Sequence, residues 1–411
     1  MRKPSVGIIF LTVFIDLVGF GIVIPLLPIY AKIFNAAGWE LAAIASAYSL
    51  MQFVFGPLLG RLSDRIGRRP VLLLSTAGAA ASYVVFAFGS NLQGQTALLV
   101  IFLSRLLAGL CGANITVAQA YIADITPPAE RSRRMGLIGM AFGLGFIFGP
   151  ILAGKARQYF GMMGPGWVAA SLCAVNFLLA LLILPESWKP SAEHVAQRPH
   201  IDQWLHTLRR PTVGLLIGVF FLATFCFTCF EVTLALLVFQ KFNVDPDSAA
   251  GVQLVTNYFV YAGLIGAVAQ GGLTGRLVKA LGEPKVIALS MILVALSLGP
   301  MPFADQKWEL LTLLGLLAIG SGLTRPPVFG MISNLTAANE QGVTIGVAQG
   351  MGALARIVGP MFSAILFMKS APLPYLICAT VSFLTGLVAW QQLSHVREPA
   401  PVAVETAKPG R

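Results

Sequence analysis

Apolar runs of bilayer-crossing length follow one another along almost the whole chain, and no other feature limits its fold so strictly. A transmembrane helix needs about 20 consecutive apolar residues. Such runs lie near 6–30, 42–60, 70–89, 98–121, 135–155, 166–185, 212–239, 251–274, 286–303, 309–333, 342–367 and 372–393. In lipid every backbone amide must be satisfied within the segment, which makes these runs helices. The expectation is an all-α membrane protein of about twelve transmembrane helices. Composition agrees, since only 11% of residues are charged, against about 25% in soluble domains. The first run contains Asp16 and continues to Pro25-Leu26-Leu27-Pro28 without a small-residue cleavage site, so it reads as a span and not a cleaved leader.

The net charge of +11 is large enough for a nucleic-acid binder, but its placement excludes that partner. Basic residues concentrate in alternate connections: Arg61, Arg65, Arg68 and Arg69, then Arg131, Arg133 and Arg134, then Arg276, Lys279 and Lys285. That bias marks these connections and both termini as cytoplasmic, with the lipid bilayer as the partner. All five cysteines lie in apolar runs and read as packing residues, Cys226 and Cys229 included despite their redox-like spacing. No phosphate-binding loop, zinc signature or nucleophile elbow appears. The expectation is therefore a protein that is not an enzyme, uses no cofactor or metal, and draws on a gradient.

Between the second and third runs stands Gly60-Arg61-Leu62-Ser63-Asp64-Arg65-Ile66-Gly67-Arg68-Arg69. Charges are costly in hydrocarbon, so this stretch reads as a crowded turn in water or headgroups, with glycines that permit a tight bend. A faded copy, Gly272-Leu273-Thr274-Gly275-Arg276-Leu277 with Gly282-Glu283, stands at the matching place further on, with Gly275 where the aspartate would be. Two parallel halves of about six spans each follow, the first copy carrying the gate chemistry. The halves are 1–185 and 212–396, joined by a cytoplasmic hinge linker over 186–211 and followed by a tail over 397–411. In the linker, His194, His200 and His206 read as solvated, and Ile201, Trp204, Leu205 and Leu208 have the spacing of an amphipathic helix on the membrane interface.

Ionisable groups inside spans are site candidates by default. Asp16 lies about 15 Å into the first span at about 1.5 Å per residue, near mid-bilayer, and is assigned to proton coupling. Arg105 in the fourth span is its natural partner, directly, through water or by proximity. Glu231 reads either as a second proton- or cation-binding carboxylate or as a capping or interface group. Arg325, just before Pro326-Pro327, reads as snorkelling to the interface. Gln119, Gln253, Asn257 and Arg356 are candidates for the substrate cavity. The phenylalanines at 220, 221, 225, 227 and 230 are either a cavity wall or packing. Gly145, Gly149, Pro150 and Gly154 in the fifth run, echoed by Gly359 and Pro360 in the eleventh, read as close-packing faces with a Gly-Pro hinge.

The segment Phe14-Ile15-Asp16-Leu17-Val18-Gly19-Phe20-Gly21 with its continuation to Pro28, the 60–69 stretch, Tyr121-Ile122-Ala123-Asp124-Ile125-Thr126-Pro127-Pro128 and the 139–154 run together resemble one branch of the major facilitator superfamily. That branch is the tetracycline-resistance group of drug:proton antiporters. The resemblance implies alternating access about a central cavity, and a small-molecule substrate exchanged for protons. It further implies a monomer in a bacterial inner membrane with both termini cytoplasmic. It places Asp64 against the amino end of the eleventh helix near Gly342, where the helix dipole favours an anion, and Arg68 against Asp124. These contacts would lock the inner gate, with Gly60, Arg65, Gly67 and Arg69 completing the motif. The chain departs from the branch in three places: Ser82-Tyr83 replaces a third-span carboxylate, Gln253 and Asn257 stand where an eighth-span histidine belongs, and 286–303 has no aspartate. These departures argue against tetracycline itself and leave proton coupling to Asp16, Arg105 and Glu231. The reading is proton-coupled efflux of a small amphipathic drug-like compound. Its alternatives are a metabolite facilitator or symporter, and a non-transporting receptor on the same fold.

Overall fold

The computed structural model describes residues 5–23, 26–27, 30, 33–112, 114–188, 200–244 and 249–395. The tail over 397–411, linker residues 189–199 with His194, and Pro25 and Pro28 lie outside them. The long helices of the first half are α1 (Val6–Val23), α2 (Gly38–Ile66), α3 (Arg68–Ser90), α4 (Gly94–Cys111), α5 (Asn114–Asp124), α6 (Arg131–Phe160) and α7 (Gly164–Ile183). A short α8 (His200–Arg209) leads to the second half: α9 (Pro211–Phe242), α10 (Ala249–Val268), α11 (Thr274–Leu281), α12 (Glu283–Leu298), α13 (Lys307–Asn334), α14 (Gln341–Lys369) and α15 (Pro372–Leu393). Among the described residues eleven helical stretches are long and apolar enough to cross a membrane. The 20-residue α10 occupies the place expected for the eighth span.

Two expectations about segment ends need correction. The 60–69 stretch is not a loop. Helix α2 runs through it to Ile66, and the only break is Gly67, whose φ of +101° is open to glycine and strained for other residues. Gly282, with φ +81°, makes the same break between α11 and α12. The fourth span is also interrupted, α4 ending at Cys111 and α5 beginning at Asn114. In the second half the eighth span continues through a π-helical turn, Ala269–Leu273, before α11.

The packing is asymmetric along the membrane normal. At the arginine-rich face one apolar core draws on both halves, from Ile9, Val71, Tyr121 and Ile138 to Phe220, Ile287, Phe329 and Ile345. At the far face the core is split: Val18, Ile22, Ile44, Phe86 and Ala169 pack within the first half, and Phe230, Leu234, Tyr258, Leu310 and Tyr375 within the second. Lipid tails are as apolar as these side chains, so close contact depends on small residues that admit a neighbouring backbone. On α6 the glycine face divides in two. A side chain at Gly136 or Gly139 would strike Gln270 of the π turn, and one at Gly143 would strike Ala267 of α10. One at Gly145 would meet Leu17, and at Gly149 the backbone of Gly21, both on α1. Gly154, expected to share this face, has nothing within 4 Å. Helix α14 repeats the scheme: Gly342 and Gly346 press on Gly60 and Pro57 of α2, while Gly352 and Gly359 receive Phe220 and Thr228 of α9. Helix α8 does not simply lie on an interface, because its Trp204 packs at a tilt against Phe53 of α2, ring centroids 5.1 Å apart, and abuts Gly350.

Candidate functional site

Where α2 meets α14, backbone approaches backbone at Gly60 and Gly342, and Asp64 sits one turn beyond. Its two carboxylate oxygens accept from the amides of Gly342 and Val343, each at 2.9 Å. These are free donors of a helix amino terminus, where the aligned peptide dipoles favour an anion. Arg68, the first residue of α3, donates from Nη1 to Asp64 at 2.5 Å and to Ser63 at 2.7 Å, and from Nε to Asp124 of α5 at 3.0 Å. The guanidinium is fully buried, a position that a charge holds only with paired and hydrogen-bonded neighbours. Glu186 caps α3 by accepting from the amides of Arg68 and Arg69 at 2.9 and 3.1 Å. Ser187 donates to Asp124 at 3.0 Å. Arg69 donates to the carbonyl of Leu181 at 2.8 Å, and Arg65 is exposed.

The second half holds a corresponding contact, at the place where the faded copy has Gly275 for the aspartate. Glu283 follows Gly282 as Arg68 follows Gly67, and accepts a hydrogen bond from Ser132 at the start of α6. Beside it, Arg131 donates to the carbonyl of Ser333 at 2.9 Å and to Asn334 at 3.2 Å. A side chain at Gly275 would meet the stem of Arg133. Each half therefore grips the start of a Gly-Pro helix in the other, α14 in one case and α6 in the other.

Asp16 is buried between α1, α5 and α7. It accepts from Asn114, from Nδ2 of Asn176 at 3.0 Å, and from the thiol of Cys173 at 3.7 Å. Asn176 also donates to the carbonyl of Thr12 at 2.8 Å, which fixes its amide toward the carboxylate. Arg105 is not among these direct hydrogen-bond partners. It lies on α4 with its guanidinium carbon 5.7 Å from the Tyr83 ring and 5.6 Å from Phe86, and its Nε and Nη2 have no partner among the described residues. The polar set around Asp16 is thus wholly uncharged.

A family model, that of the Major Facilitator Superfamily, matches residues 9–280 and 262–410. The chain belongs to this superfamily. It is 34% identical over 363 residues to the tetracycline resistance protein, class E, of Escherichia coli, covering 86% of each chain. It is 27% identical over 400 residues to multidrug resistance protein 2 of Bacillus subtilis (strain 168), covering 95% of this chain and 96% of that one. Its fold matches the crystal structure of the human organic anion transporter MFSD10 (TETRAN) with a TM-score of 0.84 at 24% identity, over 94% of this chain and 100% of that chain. This is a multi-pass membrane protein of a transporter family.

In this Major Facilitator Superfamily member the middle of the bundle carries a second polar set, across the seam between the halves. Gln119 of α5 is buried and accepts from Gln349 of α14 at 2.7 Å, and Gln349 accepts from Nη2 of Arg325 at 3.0 Å. Arg325 does not snorkel. Its guanidinium carbon lies 4.8 Å from the Phe142 ring, 5.4 Å from Phe220 and 5.8 Å from Phe329. Arg356 of α14 donates to Gln52 of α2 at 2.7 Å, and Gln52 donates to the carbonyl of Gly112 and the hydroxyl of Tyr48. Glu231 of α9 forms no ion pair among the described residues. Gln253 and Asn257 hydrogen-bond to each other at 2.8 Å and are exposed, above the split core. The structure thus brings Gln119 and Arg356 to the seam and leaves Gln253 and Asn257 at the open side. Gln52, Asn114, Asn176 and Gln349 were missed, because neutral amides in apolar runs carry no signal until the helices that hold them are packed.

Proposed function

We propose that this protein exports a small amphipathic compound from the bacterial cytoplasm in exchange for protons. It acts as a monomer in the inner membrane, by alternating access of one central cavity. In this reading the arginine-rich face is cytoplasmic and shut, the far face open, and the latches at Asp64 and Glu283 must release for the cavity to turn inward. Relatives named for tetracycline and multidrug resistance support the substrate class. The observation that carries proton coupling is the surrounding of Asp16, a buried carboxylate whose hydrogen-bond partners are all neutral. Asn114 and Asn176 each have an amide that can donate to the ionised carboxylate, and each also has a carbonyl that can accept from the protonated acid. A fixed cation would instead hold the carboxylate permanently charged. Alternation between the two forms couples a proton to the movement of α1 against α6, since Asp16 lies beside Leu17 and Gly21, the residues packed on Gly145 and Gly149.

The test is proton release from energised inverted membrane vesicles challenged with a panel of amphipathic drugs. Wild type should collapse the pH gradient with at least one compound, and Asp16→Asn, at equal protein level, should abolish that response. Substrate movement without proton movement, unchanged in Asp16→Asn, would overturn the coupling.

A further inference from the structure

Arg325 and Arg356 both reach the seam from the second half, on either side of Phe220: its ring lies 5.4 Å from the Arg325 guanidinium carbon, and a side chain at Gly352, one turn before Arg356, would strike it. Neither has a carboxylate within ion-pair distance among the described residues. Two like charges held in the interior of a bundle are unfavourable unless an anion completes them. The donors are also only part used. Arg325 spends Nη2 on Gln349, and its buried Nε has no partner; Arg356 spends Nη2 on Gln52. Both residues keep part of their surface accessible.

Depth matters as much as charge. The closed seam between α2 and α14 runs from Gly342 against Gly60 to Gly350 against Phe53 and Trp204. Arg356 comes after that last contact on α14, on the side of the split core and of exposed Gln253 and Asn257. The amide bridge between Gln119 and Gln349 closes the floor. The rings of Phe142, Phe220 and Phe329 around Arg325 supply an apolar, π-rich wall beside the cations.

We infer that Arg325 and Arg356 form the recognition point for the anionic group of a transported organic acid, a carboxylate or similar planar anion whose apolar body lies against Phe142 and Phe220. This rests on the transport reading given above and names its substrate class. A guanidinium fork matches a planar carboxylate, and the free Nε of Arg325 supplies one of its donors.

Binding of three matched probes to the purified protein in detergent tests this: 2-naphthoate, its neutral amide 2-naphthamide, and the cation 2-naphthylmethylammonium. Wild type should bind the naphthoate about tenfold or more tightly than the amide, the difference expected of charge-assisted hydrogen bonds. Arg356→Gln and Arg325→Gln should each bring the two within about threefold by weakening naphthoate alone, with amide binding and the unfolding temperature unchanged. Arg325→Lys, which keeps charge but loses the fork, should fall between. Equal binding of naphthoate and amide by wild type, preference for the cation, no binding of any probe, or a preference that survives both Gln variants would each overturn the proposal. Failure of every drug to move protons in the vesicle assay, with naphthoate selectivity intact, would instead overturn the export reading and leave the site standing.

Discussion

Arg68 donates to Asp64 and Ser63 on α2 and to Asp124 on α5 while starting α3, so one planar group ties three helices. A lysine in its place keeps the charge but reaches one acceptor at a time. Arg68→Lys should therefore cost about 2 kcal/mol and lower the unfolding temperature of the purified protein nearly as far as Arg68→Ala does. Asp124→Asn should cost less, because Ser187 still has a carbonyl to donate to. A Lys variant as stable as wild type would show that charge alone matters here. The motif around Arg68 was legible in the sequence because its charges are concentrated in ten residues, and the contact of Asp64 with Gly342 was legible only through family resemblance. Asp16 shows the opposite case. Its charge pointed to Arg105, the nearest intramembrane cation in sequence, whereas its partners are neutral residues 98 and 160 positions away that meet it only in three dimensions.

Helix α6 serves two neighbours with one stripe of glycines, Gly136, Gly139 and Gly143 facing the other half and Gly145 and Gly149 facing α1. The sequence displays the stripe but not its division, because a glycine carries no sign of which backbone will approach it. Gly149→Val should overpack against Gly21 and cost about 1–3 kcal/mol, read as a lower unfolding temperature and a smaller folded yield. Gly154→Val, which meets open space, should stay within about 0.5 kcal/mol of wild type. Equal loss in both would mean that helix flexibility, rather than close approach, explains these residues. Arg325 misled for a related reason. Its place late in α13 suggested an interfacial group, yet the helix turns that face inward, toward Phe142 of the other half.

For the molecule as a whole, the number and order of spans were plain from the apolar runs, and the two halves from the paired Gly67 and Gly282 stretches. Which face carries the core common to both halves was not, because that depends on how the same residues are shared between cores. Both contacts sit at the shared core, and they differ in sign, a guanidinium in the first half and the Glu283 carboxylate in the second. Spin labels at Tyr159 and Met368, exposed near the far ends of α6 and α14, report the opening of the far face. In Asp64→Asn with Glu283→Gln, the distance between them should shift toward shorter values by double electron–electron resonance, each single variant giving a smaller shift. A distribution identical to wild type would sink the view that these contacts hold the arginine-rich face closed.

The single shared core has a consequence for leakiness. The halves adhere through that one core and through the glycine seams of α2 with α14 and of α6 with α10 and the π turn. A conformer wetted from end to end would have to part this core before the two separate ones had joined, and would then have almost nothing holding its halves to each other. A continuous water file across the bilayer therefore coincides with near-dissociation of the bundle. Ion tightness here needs no dedicated plug, since the contact that keeps the protein in one piece is the same contact that keeps the membrane sealed.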